Sequence, residues 1–196
     1  MSIQTLTTRE RILKACYGLL VDTGGKGVRM SDIAKRAGVS RQALYLQFEN
    51  RADLFVHTTY YADQLHQSEE RLAASRTAKT GRARLKAYID AWGDFVPLVA
   101  PVLQALTVMS EVDPEAKSAL DKRMLDLREG CEAAVTALKR DGDLASDHPE
   151  EAIVDLLWAL MKYDTWRSLT TARGWSPEDF KTHVYHAAVR ICAKPK

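Results

Sequence analysis

Apolar residues recur every three or four positions along most of the chain, and no alternating β-branched run lasts past four residues. That pattern predicts an all-α fold of about nine helices. The first spans about 8–22, where Ile12, Cys16, Leu19 and Leu20 share a stripe and Thr7 or Thr8 can cap the start. The glycines of "TGGKG" end it. Two short helices follow at about 31–37 and 41–47, then a longer one over about 51–74. The polar run "SRTAKTGR" (75–82) reads as a linker or turn.

The second half carries the same period. Leu85, Tyr88, Ile89, Trp92, Phe95, Val96 and Val99 form a stripe that Pro97 and Pro101 are expected to kink or interrupt. Asp113-Pro114-Glu115 opens a helix that stops at Gly142. Another runs from about 147 to Gly174, and Ser176-Pro177-Glu178-Asp179 opens the last. Residues 153–161, "IVDLLWALM", are apolar on almost every face, which predicts burial on both sides. Ile153 and Leu157 here, with Phe180, Val184, Ala187, Ala188 and Ile191 on the last helix, are the expected contacts of a homodimer. Helices at about 149–173 and 177–193 would pair with their copies across a two-fold axis as a four-helix bundle.

A glycine separates the two short helices at "GVSRQALYLQF" (38–48). Gly38 suits the left-handed position just past a helix, Val39 fills the angle, and Ser40 caps the next start. That spacing predicts a helix-turn-helix. Ile33, Ala34, Ala37, Leu44 and Phe48 point inward, leaving Arg41, Gln42, Tyr45 and Gln47 outward. Arginine can bond a guanine edge, glutamine an adenine edge and tyrosine a phosphate. Charge agrees in direction: residues 1–57 carry nine Lys/Arg against five Asp/Glu, whereas the remainder is slightly acidic. A solvated basic face gives the same imbalance.

Three widely spaced cysteines (Cys16, Cys131, Cys192) form no disulfide framework and point to a reducing, cytoplasmic setting. No apolar leader and no stretch of about 18 apolar residues is visible, so no membrane span is expected. No nucleophile elbow, zinc-protease motif or phosphate-cradling loop appears, and no enzyme or cofactor is expected. Asp179, His183 and His186 have metal-compatible spacing on one helix, but a polar or interface face explains them better, so no metal is expected. Trp92, Phe95, Met109, Met124, Trp158, Met161, Tyr163 and Trp166 are core by default and are also the candidate walls of a ligand cavity. Asp164 continues the Leu157–Met161 stripe, where a buried acid would need Arg167, a cationic ligand or a subunit interface.

The stretch "MSDIAKRAGVSRQALYLQFENRADLF" resembles the N-terminal DNA-binding domain of the tetracycline-repressor-like (TetR) family. The matching features are Ile33-Ala34, Ala37-Gly38-Val39-Ser40, Leu44-Tyr45, Phe48 and Arg51-Ala52-Asp53-Leu54. The resemblance implies a helix-turn-helix DNA-binding domain over 1–57 and a helical ligand-binding and dimerisation domain over 58–196. It also implies a dimeric transcriptional regulator, most often a repressor, that binds a palindromic double-stranded operator. Its ligand, here an apolar or aromatic small molecule, would move the fourth helix and respace the two recognition helices. Carried over by position, Ser40, Arg41, Gln42, Tyr45 and Gln47 contact DNA, with Arg51 near a phosphate. Two positions depart from the family pattern. Arg29 stands where threonine is common, so Arg29 would meet phosphate while Ser31 caps the second helix. Gln42 stands where a small residue is common, so operator preference cannot be borrowed. Two rival readings are a helical protein-interaction module and an enzyme with an unrecognised site in the helical body.

Overall fold

The computed structural model describes residues 6–195, which form eleven α-helices and one π-helical turn. In order these are α1 (Thr8–Thr23), α2 (Met30–Ala37), α3 (Arg41–Tyr45), α4 (Arg51–Leu65), α5 (Ser68–Arg71), α6 (Ala73–Arg76), α7 (Gly81–Ser110), α8 (Pro114–Arg140), α9 (Glu150–Met161) and α10 (Tyr163–Arg167). The π turn covers Ser168–Ala172, and α11 is Pro177–Cys192. The all-α expectation holds, with a single isolated bridge (Leu144 to Ala193) among the described residues.

The chain divides into two compact units. The first runs to His66 and takes in Leu98–Asp121; the second comprises Gln67–Pro97 and Lys122–Lys196. The expected boundary at residue 57 falls inside α4, all of which belongs to the first unit.

In the first unit, α1 starts with a reciprocal cap. The Thr7 hydroxyl accepts from the Glu10 N–H while the Glu10 carboxylate accepts from the Thr7 N–H. Those hydrogen bonds lower the Glu10 carboxyl below its ordinary value. Ile12, Cys16 and Leu20 of α1 meet Ile33 and Ala34 of α2, Leu44 and Phe48 around α3, and Leu54 and Phe55 of α4. Val102 and Ala105 of α7 complete this core. The Tyr17 hydroxyl donates to the Leu98 carbonyl at 3.0 Å and lies 2.6 Å from His66 Nε2.

The second unit is built on Leu85 and Ile89 of α7, Cys131, Val135 and Leu138 of α8, Ile153, Leu157 and Met161 of α9, and Phe180, Val184 and Ala188 of α11. All three thiols are buried, and loss of hydration pushes each up to about 12, so none is a thiolate at neutral pH.

Several expected boundaries move. Pro97 and Pro101 do not interrupt α7, which continues through both to Ser110. The helix expected over 51–74 stops at Leu65, because Gln67 adopts a left-handed backbone (φ 52°), and α5 and α6 follow as single turns. The helix expected to reach 173 breaks at Lys162, whose ψ of 147° is extended. Residues 153–161 bury one face only: Ile153, Val154, Leu157 and Met161 are inside, whereas Asp155, Leu156 and Ala159 are exposed. Helix α7 is long and apolar enough to cross a membrane by length and composition, contrary to expectation. Its Leu85, Ile89, Val102 and Leu106 are spent in the cores of the two units.

Two glycines separate backbone constraint from packing constraint. Gly38 (φ 66°) has only an Arg11 nitrogen near a hypothetical Cβ, at 3.9 Å. At Gly25 (φ 81°) a Cβ would overlap the Pro101 carbonyl oxygen. Gly38→Ala is therefore expected to cost only the left-handed backbone, about 1–2 kcal/mol. Gly25→Ala adds a backbone clash and should destabilise clearly more. Urea unfolding of the two variants checks the order.

Candidate nucleic-acid interface

The turn between α2 and α3 follows from three residues. Gly38 takes the left-handed C-cap of α2, its N–H reaching the carbonyls of Ala34 and Lys35. Val39 is half-buried and donates its N–H to the Ala34 carbonyl at 3.0 Å. The Ser40 hydroxyl accepts from the Ala43 N–H at 3.0 Å and starts α3. Helix α3 is then anchored from below. Leu44 and Phe48 are buried, and the Arg9 guanidinium lies over the Phe48 ring while donating to the Gln47 carbonyl at 2.7 Å.

That anchoring fixes what faces out. Arg41 and Tyr45 form one exposed row, four residues apart; Gln42 and Leu46 form the row beside it. Leu46 is 76% exposed and was not among the outward residues expected from the sequence. The signal was available: Leu46 lies four residues after Gln42, while Leu44 and Phe48 already supply the inward contacts. Gln47 is half-buried, and its backbone carbonyl accepts from Arg9.

Arg29 and Ser31 are exposed at the start of α2. The expected Ser31 cap does not form. The N-cap position belongs to Arg29, which makes no side-chain cap bond, and Ser31 already lies inside the helix. Arg51 is exposed as the first residue of α4, with its guanidinium 5.0 Å from the Phe55 ring centre. Asn50 caps that helix through the Asp53 N–H at 2.9 Å. Arg29 and Arg41 have no ion pair among the described residues, whereas Arg36 is paired with Asp22. The site therefore presents unneutralised guanidinium groups beside a short row of amide, phenol and apolar side chains. Chemically, it can hold phosphates and read base edges.

The expected ligand-wall residues are not all brought together. Met109 belongs to the first unit and packs beside Ala105 and Leu106. Trp92, Phe95, Met124, Trp158, Met161, Tyr163 and Trp166 belong to the second. Tyr163 stacks on Trp166 at 6.0 Å, and Trp158 donates its indole N–H to the Met124 carbonyl at 3.0 Å. The indole N–H groups of Trp92 and Trp166 are buried with no partner among the described residues. Asp164 is exposed rather than buried and lies 3.8 Å from Arg167.

Of the expected dimer contacts, Ile153, Leu157, Phe180, Val184 and Ala188 are turned into the second unit's own core. Ala187 and Ile191 stay half-exposed. Asp179 spends its carboxylate on the Ser176 cap, and His183 packs on Trp175 with ring centres 5.1 Å apart. No cluster of three metal-ligating side chains occurs among the described residues.

Comparison with known proteins agrees with this geometry. Residues 12–58 match the family model of bacterial regulatory proteins, tetR family. The HTH-type transcriptional activator FasR of Mycolicibacterium smegmatis is 34% identical over 89 residues, which are 45% of this chain and 40% of that protein. The chain thus matches well under half the length of that relative. Among solved structures, a protein of Saccharomonospora viridis in complex with choline superposes with a TM-score of 0.80 at 19% identity, over 95% of this chain and 98% of the other. The transcriptional regulator FadR of Bacillus subtilis in complex with stearoyl-CoA gives 0.72 at 14% identity, over 91% and 96%. At these identities the structural likeness concerns the fold.

Removing the α3 cap should test how the site is held. Ser40→Ala is expected to lower stability by about 1 kcal/mol, the ordinary worth of an N-cap. It should weaken binding to duplex DNA along with it, read by thermal unfolding and fluorescence anisotropy.

Proposed function

We propose that this chain, whose residues 12–58 match the model of the tetR family of bacterial regulatory proteins, is a ligand-responsive transcriptional regulator that binds a palindromic operator as a homodimer. One observation carries the DNA-binding part: α3 is capped by Ser40, anchored by Leu44 and Phe48, and presents Arg41, Gln42 and Tyr45 to solvent. Arg29 and Arg51, exposed at the starts of α2 and α4, would meet phosphates in this reading. Their free charge supplies the sequence-independent share of the affinity, and Gln42 the discrimination.

The second unit is the proposed effector-binding and dimerising body. Its tryptophans, which pack against the core, and the buried Tyr163 would line the site of an apolar or aromatic molecule; proteins of the same fold have been solved with choline and with stearoyl-CoA. Coupling between effector and operator is worth about 1–3 kcal/mol in such systems. Repression is the default reading, since a dimer seated on a promoter blocks the polymerase. The FasR relative is named an activator, and the position of the operator relative to the promoter sets the sign.

For the dimer, the available surface is the outward side of α9 and α11: Leu156 and Ala159 with Ala187 and Ile191. A dimer that reads a palindrome needs its two recognition helices about one DNA turn apart, roughly 34–36 Å.

Selection from random duplexes is expected to enrich a palindrome whose binding weakens steeply with salt. Gln42→Ala should change preference at one base pair per half-site by about 1–3 kcal/mol, whereas Tyr45→Phe should weaken all sequences alike. Enrichment of no motif would overturn the regulatory reading.

Sedimentation equilibrium should show about twice the 22.0 kDa chain mass. Leu156→Glu with Ala187→Glu should give monomers that still fold, since both positions lie outside the core. Ala188→Glu would instead break the core itself. A wild-type monomer at micromolar concentration would overturn the dimer.

A further inference from the structure

We propose that Leu46 is a specificity-determining residue that reads the C5 methyl group of a thymine in the major groove, next to the base edge met by Gln42. The inference rests on the DNA-binding reading above and extends it to a residue that neither the sequence pattern nor the family resemblance singled out. Leu46 is the C-cap of α3 and keeps a helical backbone (φ −73°, ψ −20°), with its N–H reaching the Gln42 carbonyl at 3.0 Å. Its side chain therefore leaves the helix one turn beyond Gln42, on the same face. It is 76% exposed, while Tyr45 beside it is 46% exposed. The inward contacts of this segment are already made by Leu44 and Phe48, so Leu46 has no role in the core.

An isolated exposed leucine is ordinary on a protein surface. This one is continuous with a row of groups suited to base and phosphate contact. The apolar feature that base pairs display in the major groove is the thymine methyl group. Four helical residues advance about 6 Å along the axis. Successive base pairs advance about 3.4 Å, so Gln42 and Leu46 reach base pairs one to two steps apart. A glutamine that selects adenine and a leucine that selects thymine together favour an A/T-containing step in each half-site.

The experiment uses the full chain and a duplex obtained by selection from random DNA. Each thymine of a half-site, with its symmetry mate, is replaced in turn by deoxyuridine, which lacks only the methyl group. One position per half-site should weaken the wild-type protein about fourfold, corresponding to the ~0.8 kcal/mol of one buried methyl-sized group. L46A should lose affinity for the thymine duplex and bind it and the deoxyuridine duplex equally. Its salt dependence and thermal midpoint should match the wild type, because no charge and no core contact is removed. The proposal is overturned if no deoxyuridine position matters, if the selected half-sites lack thymine, or if L46A loses the same factor on both duplexes. In those cases the enriched motif still supports the DNA-binding reading. Failure to enrich any duplex removes both.

Discussion

Helix α3 is five residues long, far below the ~12–15 residues at which an isolated helix becomes even marginal in water. Its existence depends on what holds it at both ends and from below. Gly38 frees it from α2, the Ser40 hydroxyl satisfies an N–H of its first turn, and Leu44 and Phe48 tie it to the core of α1, α2 and α4. The outward row follows from that anchoring, because a helix whose inner face is fixed has one face left. Arg9 adds a tie from α1, through the Gln47 carbonyl and the Phe48 ring.

The same unit is fastened at the far end of α4. The Tyr17 hydroxyl lies 3.0 Å from the Leu98 carbonyl and 2.6 Å from His66 Nε2. Three elements, α1, the α4 terminus and α7, meet in that arrangement within the first unit. Immediately after it, Gln67 adopts the left-handed backbone that a side chain disfavours.

The second unit shows a different balance. Its aromatic side chains pack closely, yet two buried indole N–H groups have no acceptor among the described residues. A buried donor left unpaired costs about 1–3 kcal/mol, so this packing is not the best that an apolar core can achieve. Trp158, which finds the Met124 carbonyl, shows the satisfied alternative a few residues away.

Local signals decided much of this protein. The 3.6-residue period made it helical, Thr7, Asn50 and Ser176 stand where helices begin, and Gly38-Val39-Ser40 placed the turn. These depend on a few neighbouring residues and the backbone conformations they allow, so they can be read along the chain. The inward set Ile33, Ala34, Ala37, Leu44 and Phe48 was legible for the same reason. Tertiary structure decided the remainder. Pro97 and Pro101 stay within one helix, Ile153 and Phe180 turn inward, and Met109 parts from the other candidate wall residues. Leu46 is left to solvent although its residue type suggested core. Periodicity states that a face is apolar but not what will cover it, and that choice belongs to elements distant in sequence.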